Sequence, residues 1–330
     1  MSETRQATQM GSGINTFLGA PHVRPDAKLL KEHGAKAAFL GIAYENANVY
    51  RQGQSGGPRA VREATDQFFS YHYDYDIDLF DVYRLVDCGD VPTISTDTVA
   101  SHDSMRRNVK EILSGGALPL IQGGDHSIPI GTMKALSEVT EGGMGLIQFD
   151  CHLDSSDEFL GSRMNGGCHL RRTSELPNVN PKNMVHIGSR GLWNLPDQAQ
   201  YCRDSGINVI RMRDVRKRGI QAIAREALEM AADGTSAIAI DVDLDVLDCS
   251  HAPGVCSPEP GGMHPADLME ALDTIAESGR VSLVEVVELA PVWDPSGLGA
   301  RMACYVMFTV LGANAKNVKP AGPLAAAANQ

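Results

Sequence analysis

The chain has 330 residues, of which 43% are hydrophobic and 21% are charged, and its formal net charge at pH 7 is −12. This composition is typical of a globular protein, and no apolar run reaches the length of a membrane span, so we expect a soluble protein with no membrane partner. The negative charge and the lack of any lysine or arginine block argue against nucleic acid as a partner.

The N-terminal stretch MSETRQATQMGSGINTF has neither the basic start nor the apolar centre of a signal peptide. We therefore expect a cytoplasmic location. The seven cysteines are odd in number and show no CxxC spacing. This pattern indicates reduced thiols, mostly acting as small buried apolar groups, rather than a disulfide framework.

Eight short apolar runs predict β-strands. In chain order they are AAFLGIA, YRLVDCGD, ALPLIQGGD, GMGLIQFD, NMVHIGSR, INVIRM, SAIAIDVD and VSLVEVVELA. Several are apolar on both faces, as in parallel strands that are covered by helices on both sides. The segments between them are typical of helices and include PRAVREATDQFF, MRRNVKEILS, PIGTMKALSEV, IQAIAREALEMAA and PADLMEALDTIAES.

This alternation predicts an α/β fold, a single three-layer domain with a mostly parallel eight-stranded sheet. No linker, low-complexity tract or internal repeat divides the chain, so we expect one domain over residues 1–330 with an N-terminal arm over residues 1–30. In open parallel sheets the functional site lies beyond the carboxyl ends of the strands. Polar residues follow several of the apolar runs at that end.

Three of these strand ends carry acids and histidines, in QGGDHS (122–127), FDCHLD (149–154) and IDVDLDVLD (240–248). Alternate side chains of a strand share one face, so Asp150, His152 and Asp154 can converge. One such motif alone usually marks a solvated loop or a helix cap. Three such motifs in one cleft bring many carboxylates together, and these would repel one another unless divalent cations neutralised them. Imidazole and carboxylate ligands suit Mn²⁺ and similar metals rather than a closed zinc site.

The motifs resemble the signatures of the ureohydrolases, the family of arginase, agmatinase and related amidinohydrolases. The matching segments are GGDHS (123–127), DCHLD (150–154), DLDVLDCSHAPGVCSPEPGG (243–262), GPRAVR, HIGSRG and EVVELAP, which span nearly the whole chain. The RG after HIGS is similar to the agmatinase branch. The resemblance implies an arginase-like fold and an oligomer, either a homotrimer or homohexamer or a hetero-oligomer with a paralogous subunit.

The resemblance also implies two divalent metal ions per chain, with Mn²⁺ as the first candidate and Ni²⁺ as the second. The implied ligands are His126 and Asp154 for one ion, His152 and Asp245 for the other, and Asp150 and Asp243 as bridges. Such a pair of ions activates water as a nucleophile near neutral pH. Asp241, one strand period before Asp243, is implied to stand behind the ligands.

Three residues are implied to be catalytic: Asp154, His169 and Glu288. Glu288, in VVELAP, occupies the position of the carboxylate that accepts the N–H fork of a guanidinium group. His169, in NGGCHLRR, occupies the position of a histidine that can pass a proton to the departing amine. The alternative interpretations are a structural acid for Glu288 and a solvated loop residue for His169.

The implied reaction is hydrolysis of a cationic guanidino compound, at a C–N bond other than a peptide bond, to urea or a urea-like product and an amine. The candidates are guanidino acids, agmatine, guanidine, and alkylated guanidines or biguanides such as metformin. Departures from the family motifs at Cys151, Cys249 and Leu289 prevent a substrate from being carried over, and the loop SSDEFLGSRMNGGCHLRR offers both acids and arginines. We lean toward a guanidino acid or a small guanidine over arginine.

Two alternatives remain open at this point. The chain could be a catalytically silent paralogue that supports an active partner, which the full ligand set disfavours. It could also carry out deacetylase-like chemistry with one metal ion, which would leave His126 and the second acid of each DxD motif without a purpose.

Overall fold

The structure is a computed structural model that describes residues 14–319. Its strands are β1 (Ala37–Gly41), β2 (Tyr71–His72), β3 (Ile77–Asp78), β4 (Val86–Asp90), β5 (Leu118–Gln122), β6 (Gly143–Phe149), β7 (Val179–Ile187), β8 (Asn208–Ile210), β9 (Thr235–Asp243) and β10 (Val281–Val287). Eight of them form one sheet in the order β4-β1-β5-β10-β9-β6-β7-β8, and each neighbouring pair is parallel. The other two, β2 and β3, form a small antiparallel pair.

Eleven α-helices are described in the same range. They are α1 (Ala27–His33), α2 (Gly57–Thr65), α3 (Leu79–Tyr83), α4 (Thr98–Ser114), α5 (Pro129–Val139), α6 (His169–Ser174), α7 (Pro196–Ser205), α8 (Met212–Arg218), α9 (Ile220–Ala232), α10 (Pro265–Ala276) and α11 (Leu298–Asn314). Within residues 14–319, no helix combines the length and the apolar character needed to cross a membrane.

The helices cover both faces of the sheet, so the fold has three layers. In β1, Ala37 and Phe39 face one core, to which α2, α9, α10 and α11 contribute. Ala38 and Leu40 face the other core, to which α1, α4 and α5 contribute. Burial on both faces explains why the strands are nearly continuous apolar runs in the sequence.

The predicted α/β fold is confirmed, and all eight predicted strands lie in the large sheet, which is parallel throughout. The small β2 and β3 pair and the helices α1, α3, α6, α7, α8 and α11 were not among the segments named from the sequence. The β2 and β3 pair is only two residues long in each strand, too short for a periodic signal. Helix α11 is buried along most of its length, so its sequence LGARMACYVMFTVLGAN lacks the polar face that marks an amphipathic helix.

The predicted N-terminal arm, residues 1–30, lies partly outside the described residues. From residue 14 onward it packs on the outer strands of the sheet, where the buried Phe17 ring stacks on Phe39 with centroids 4.4 Å apart. His22 forms a parallel bridge with Asp87 of β4. This part of the arm therefore extends the sheet at its β4 edge.

Asp87 joins three segments at this edge. Its carboxylate accepts two hydrogen bonds from Arg62 of α2, at 2.8 and 3.0 Å, and one from the backbone N–H of Phe17 at 2.7 Å. Asp87 is almost fully buried, so Arg62 has no bulk water with which to replace this partner. Removal of the carboxylate would leave this largely buried guanidinium group with only Asp90, a more exposed carboxylate 2.7 Å away, as its counter-charge.

We therefore predict that Asp87→Ala lowers the free energy of unfolding by about 3 kcal/mol or more, since it breaks a buried ion pair. The matched control is Glu63→Ala, which breaks the exposed pair between Glu63 and Arg59 on the same helix α2. That change is expected to cost less than about 1 kcal/mol. Urea denaturation of both variants measures the difference, and equal costs would contradict the role given to Asp87.

Candidate metal centre

The acidic motifs meet because their strands are neighbours. Strands β5, β10, β9 and β6 stand side by side in the middle of the sheet. Their carboxyl ends lead into the turns that carry the predicted site residues, which are His126 after β5, Glu288 after β10, Asp243 and Asp245 at the end of β9, and Asp150, His152 and Asp154 after β6. Parallel pairing alone thus brings all of these turns to one edge.

His126 stands at one end of the cluster. Its Nδ1 atom lies 3.0 Å from Asp243 Oδ2, 3.3 Å from Asp154 Oδ2 and 3.4 Å from Asp150 Oδ2. Despite these short distances, Nδ1 makes no hydrogen bond of acceptable geometry. One nitrogen and three carboxylate oxygens that converge without hydrogen bonding have the arrangement of ligands around a cation.

His152 stands at the other end. Its Nδ1 atom lies 2.9 Å from Asp245 Oδ2 and 3.8 Å from Asp150 Oδ1. Asp150 therefore turns one oxygen toward His126 and the other toward His152. This position between the two histidines is the one that a bridging carboxylate needs, as the resemblance implies for Asp150.

Three groups of side chains place their ligand atoms within 4.8 Å of one another. The groups are His126, Asp150, Asp154 and His169; Asp150, Asp243 and Asp245; and Cys151, His152 and Asp245. All six predicted ligands belong to these groups. His169 and Cys151 are additions, since the sequence analysis assigned His169 to proton transfer and Cys151 to packing.

The electrostatics of the cluster call for cations. Burial raises the pKa of Asp150 well above its usual range, and the carboxylates of Asp245, Asp154 and Asp243 raise it further. Burial would lower the pKa of His126, but the surrounding carboxylates outweigh it and hold that pKa well above its usual value. These buried acids are therefore short of positive charge, and the imidazole and carboxylate donors fit divalent metal ions.

Two polar residues orient the ligands from behind. Asp241 Oδ2 lies 3.0 Å from His126 Nε2, which fixes the ring with Nδ1 facing the cluster. Gln148 donates from Nε2 to Asp150 Oδ2 at 2.7 Å. Asp241 was anticipated in this position, and Gln148 was missed. Its signal was a polar residue inside an apolar strand, two residues before Asp150 and hence on the same face.

Glu288 follows β10, and it therefore lies between the strand ends that carry His126 and Asp243. Its Oε1 atom accepts the backbone N–H of His126 at 2.6 Å, and its Oε2 atom accepts from Gln54 Nε2 at 3.0 Å. Asp154 and Glu288 both hold the left-handed backbone conformation that non-glycine residues rarely adopt, with φ of 43° and 67°. Backbone strain of this kind concentrates at functional sites.

His169 begins α6 and is fully buried beneath the cluster. Its ring stacks on that of His126, with centroids 3.8 Å apart. Its Nε2 atom lies 3.5 Å from Asp154 Oδ2. His169 is not among the residues that line the cavity above the cluster, whereas Asp154 is. Contact between His169 and a bound molecule would therefore run through Asp154.

Glycine at position 124 is required by a close approach of backbone. A Cβ atom on Gly124 would lie 1.7 Å from the carbonyl oxygen of Tyr44. Asp125, next in the chain, is buried and accepts from the backbone N–H groups of Ala47 and Ser127. The turn that presents His126 is thus fixed against the segment after β1.

A cavity of about 230 Å³ opens above the cluster. Its floor consists of the acidic and imidazole side chains His126, His152, Asp154, Asp243, Asp245 and Glu288. Arg190 does not line the cavity. Its guanidinium group donates to the backbone carbonyls of residues 245, 246, 247, 259 and 260, so it holds the loop after β9.

Comparison with known proteins agrees with this geometry. The model of the arginase family matches residues 35–312. A guanidinopropionase of Pseudomonas aeruginosa is 31% identical over 303 residues, which cover 91% of each chain. A formimidoylglutamase of Bacillus subtilis is 31% identical over 276 residues, which cover 83% of this chain and 86% of that protein.

A solved structure shows the same architecture. The proclavaminate amidino hydrolase from Streptomyces clavuligerus superposes with a TM-score of 0.84 at 26% identity, covering 92% of this chain and 98% of that one. The family match extends over most of the chain and includes every strand of the large sheet and all the predicted ligands. This chain belongs to the arginase family.

Proposed function

We propose that this chain is a binuclear metal-dependent hydrolase of a guanidino compound, which releases urea or a urea-like product and an amine. The convergence of six ligand side chains, five of which form the floor of one cavity together with Glu288, carries this proposal. Family membership supports it, as do two relatives whose names refer to guanidino or amidino compounds.

The residues that would hold the metal ions are those implied by the motifs. His126 and Asp154 would bind one ion and His152 and Asp245 the other, with Asp150 and Asp243 shared. Mn²⁺ is the first candidate and Ni²⁺ the second, because both accept imidazole and carboxylate together. When bound, such a pair supplies the Lewis acidity that makes water a nucleophile near neutral pH.

Glu288 would orient the electrophile. Its carboxylate lines the cavity, and each oxygen keeps a lone pair beyond the bonds from His126 and Gln54. A guanidinium group can therefore donate two parallel N–H bonds to it. This contact would hold the guanidinium carbon over the cluster, where a water oxygen attacks it and the bond to the departing nitrogen breaks.

Asp154 and His169 would handle the proton. Asp154 lines the cavity and can take a proton from the attacking water, and its Oδ2 atom lies 3.5 Å from His169 Nε2. Return of that proton to the departing nitrogen allows it to leave as a neutral amine. In this arrangement His169 acts through Asp154 and is a positioning residue.

The assembly and location remain predictions from the sequence. They are a homotrimer or homohexamer, or a hetero-oligomer with a paralogue, in the cytoplasm. The same holds for the extent of the domain, residues 1–330 with an arm over residues 1–30. For each of these assemblies the proposed substrate is a small cationic guanidino compound.

The proposed bridging role of Asp150 and Asp243 predicts that alanine at either position disturbs both metal sites. His126→Ala is expected to weaken mainly one. Metal content of the purified variants, measured by mass spectrometry after dialysis, tests this, with Asp103→Ala on the exposed face of α4 as a control that keeps the wild-type content. An Asp243→Ala variant with two ions and full activity would contradict the ligand assignment and point to Asp241 instead.

His169→Ala is predicted to lower kcat by about 10- to 100-fold, the usual cost of removing a side chain that orients a ligand from behind. Metal content should stay close to two ions per chain, and the pH profile of kcat should change, which a purely structural loss would not cause. His72→Ala, a histidine far along the chain from all site motifs, serves as the control. Wild-type kcat in His169→Ala would show that the histidine only packs.

The proposed activity itself is tested on a panel of guanidino compounds with Mn²⁺-loaded and Ni²⁺-loaded protein. At least one compound should yield urea or a urea-like product and an amine in equal amounts. Glu288→Gln should reduce kcat/KM by about 10²-fold or more while both ions stay bound, since it weakens a charge-assisted contact to the reacting group. No turnover of any compound by protein with two bound ions would overturn the proposal and favour a silent subunit.

A further inference from the structure

The cavity above the metal cluster has two chemically different ends. Its floor is acidic and buried, while its outer wall is formed by the apolar side chains Val49, Phe159, Leu192, Trp193 and Leu195. Trp193 is 43% exposed and its ring lies 6.1 Å from that of His152. It therefore stands at the boundary between the floor and the outer wall, where the tail of a guanidino substrate would leave the floor.

The outer wall offers no cationic partner for a negatively charged tail, and the hydroxyl of Ser257, which also lines the cavity, donates to Cys256 Sγ at 3.5 Å. Among the described residues that line the cavity there is no lysine or arginine. The guanidinium group of Arg51 lies nearby but already has other partners. It donates to the carbonyls of Pro253, Val255 and Cys256 and lies over the Trp293 ring. Arg190 is committed to carbonyls in the same way.

The segment after β6, which comprises a loop and helix α6, also has arginines that pair with acids of the same segment. Its arginines, at 163, 171 and 172, all pair with the carboxylate of Asp157, and two of them also pair with Glu175. Arg171 additionally lies over the Tyr201 ring. Asp157 and the three arginines thus bind one another, Glu158 is exposed, and none of these groups lines the cavity.

The outer wall offers no partner for a positively charged tail either. Every carboxylate that lines the cavity belongs to the floor. The amide of Gln198 is used at both ends, since it donates to Ser156 Oγ at 2.9 Å and accepts the N–H of Leu195 at 3.1 Å. Glu259 lines an adjoining cavity that shares Trp193 and Ser257, not this one.

We infer that the outer wall is a subsite for an uncharged alkyl group. The substrate is then a small N-alkylated guanidinium compound whose alkyl tail carries no charge. The inference rests on the proposed function and adds the chemistry of the tail. A carboxylate or ammonium group held against this wall would lose water without gaining a partner, whereas an alkyl group gains by leaving water. The cavity of about 230 Å³ has room for a guanidinium group with a short alkyl tail.

Three guanidinium compounds of similar length test this inference: 1-butylguanidine, 4-guanidinobutanoate and agmatine, which differ in a neutral, anionic or cationic end. Binding is measured by calorimetry on metal-loaded protein, and kcat/KM by product release. We expect 1-butylguanidine to exceed both others by about tenfold or more in each measurement, since a charged end that loses part of its water against this apolar wall gains no opposite charge there. Equal or better binding of either charged compound would overturn the inference.

The binding measurement separates this inference from the proposed function. If 1-butylguanidine binds best but no compound is hydrolysed by protein with two ions, the proposed hydrolase activity fails and the alkyl subsite stands. If a charged compound is both bound and hydrolysed best, the hydrolase activity stands and the alkyl subsite fails.

Variants at the boundary sharpen the test. Trp193→Ala should weaken binding of 1-butylguanidine by about tenfold, because a large aromatic contact is lost, and should change agmatine binding much less. Trp193→Arg, or Leu195→Arg if the first variant folds poorly, should shift the preference toward 4-guanidinobutanoate. Phe69→Ala, an exposed aromatic outside the cavity, is the matched control. An unchanged order of the three compounds in both arginine variants would contradict the subsite.

Discussion

The mutual repulsion of buried carboxylates is the constraint on which this site depends. Asp150, Asp243 and Asp245 place ligand oxygens within 4.8 Å of one another in a region closed to solvent. Without cations such a group would take up protons, as the raised pKa of Asp150 shows and as the pKa of Asp243, raised to about 7 by burial and by Asp245, shows as well. The rest of the architecture holds these acids together against that repulsion.

The parallel sheet holds these acids together through the register of its strands. Gln148 of β6 lies beside Asp241 of β9, and Asp241 lies beside Glu285 of β10, so polar residues form a row one period behind the ligands. Gln148 binds Asp150 and Asp241 binds His126, which transmits the rigidity of the sheet to the site. Outer contacts of this kind set ligand orientation and metal affinity.

Much of the fold and of the metal centre could be predicted, because it follows from the periodicity of apolar residues and from the position of polar residues at the ends of strands. The strands were visible as apolar runs, and their polar ends had to meet at one edge. The sequence could not reveal that His169 lies buried against His126 or that Asp157 pairs with three arginines. Those outcomes depend on how loops fold over the sheet edge, and loop conformation does not follow from the periodicity of a sequence.

The central claim is that the six side chains hold a pair of metal ions. Anomalous diffraction from crystals grown with Mn²⁺ tests it most directly. The account predicts two peaks about 3.5 to 4 Å apart. One should contact His126 and Asp154, the other His152 and Asp245, with Asp150 and Asp243 touching both. A single peak, or a pair held by Cys151 or His169 in place of those ligands, would contradict it.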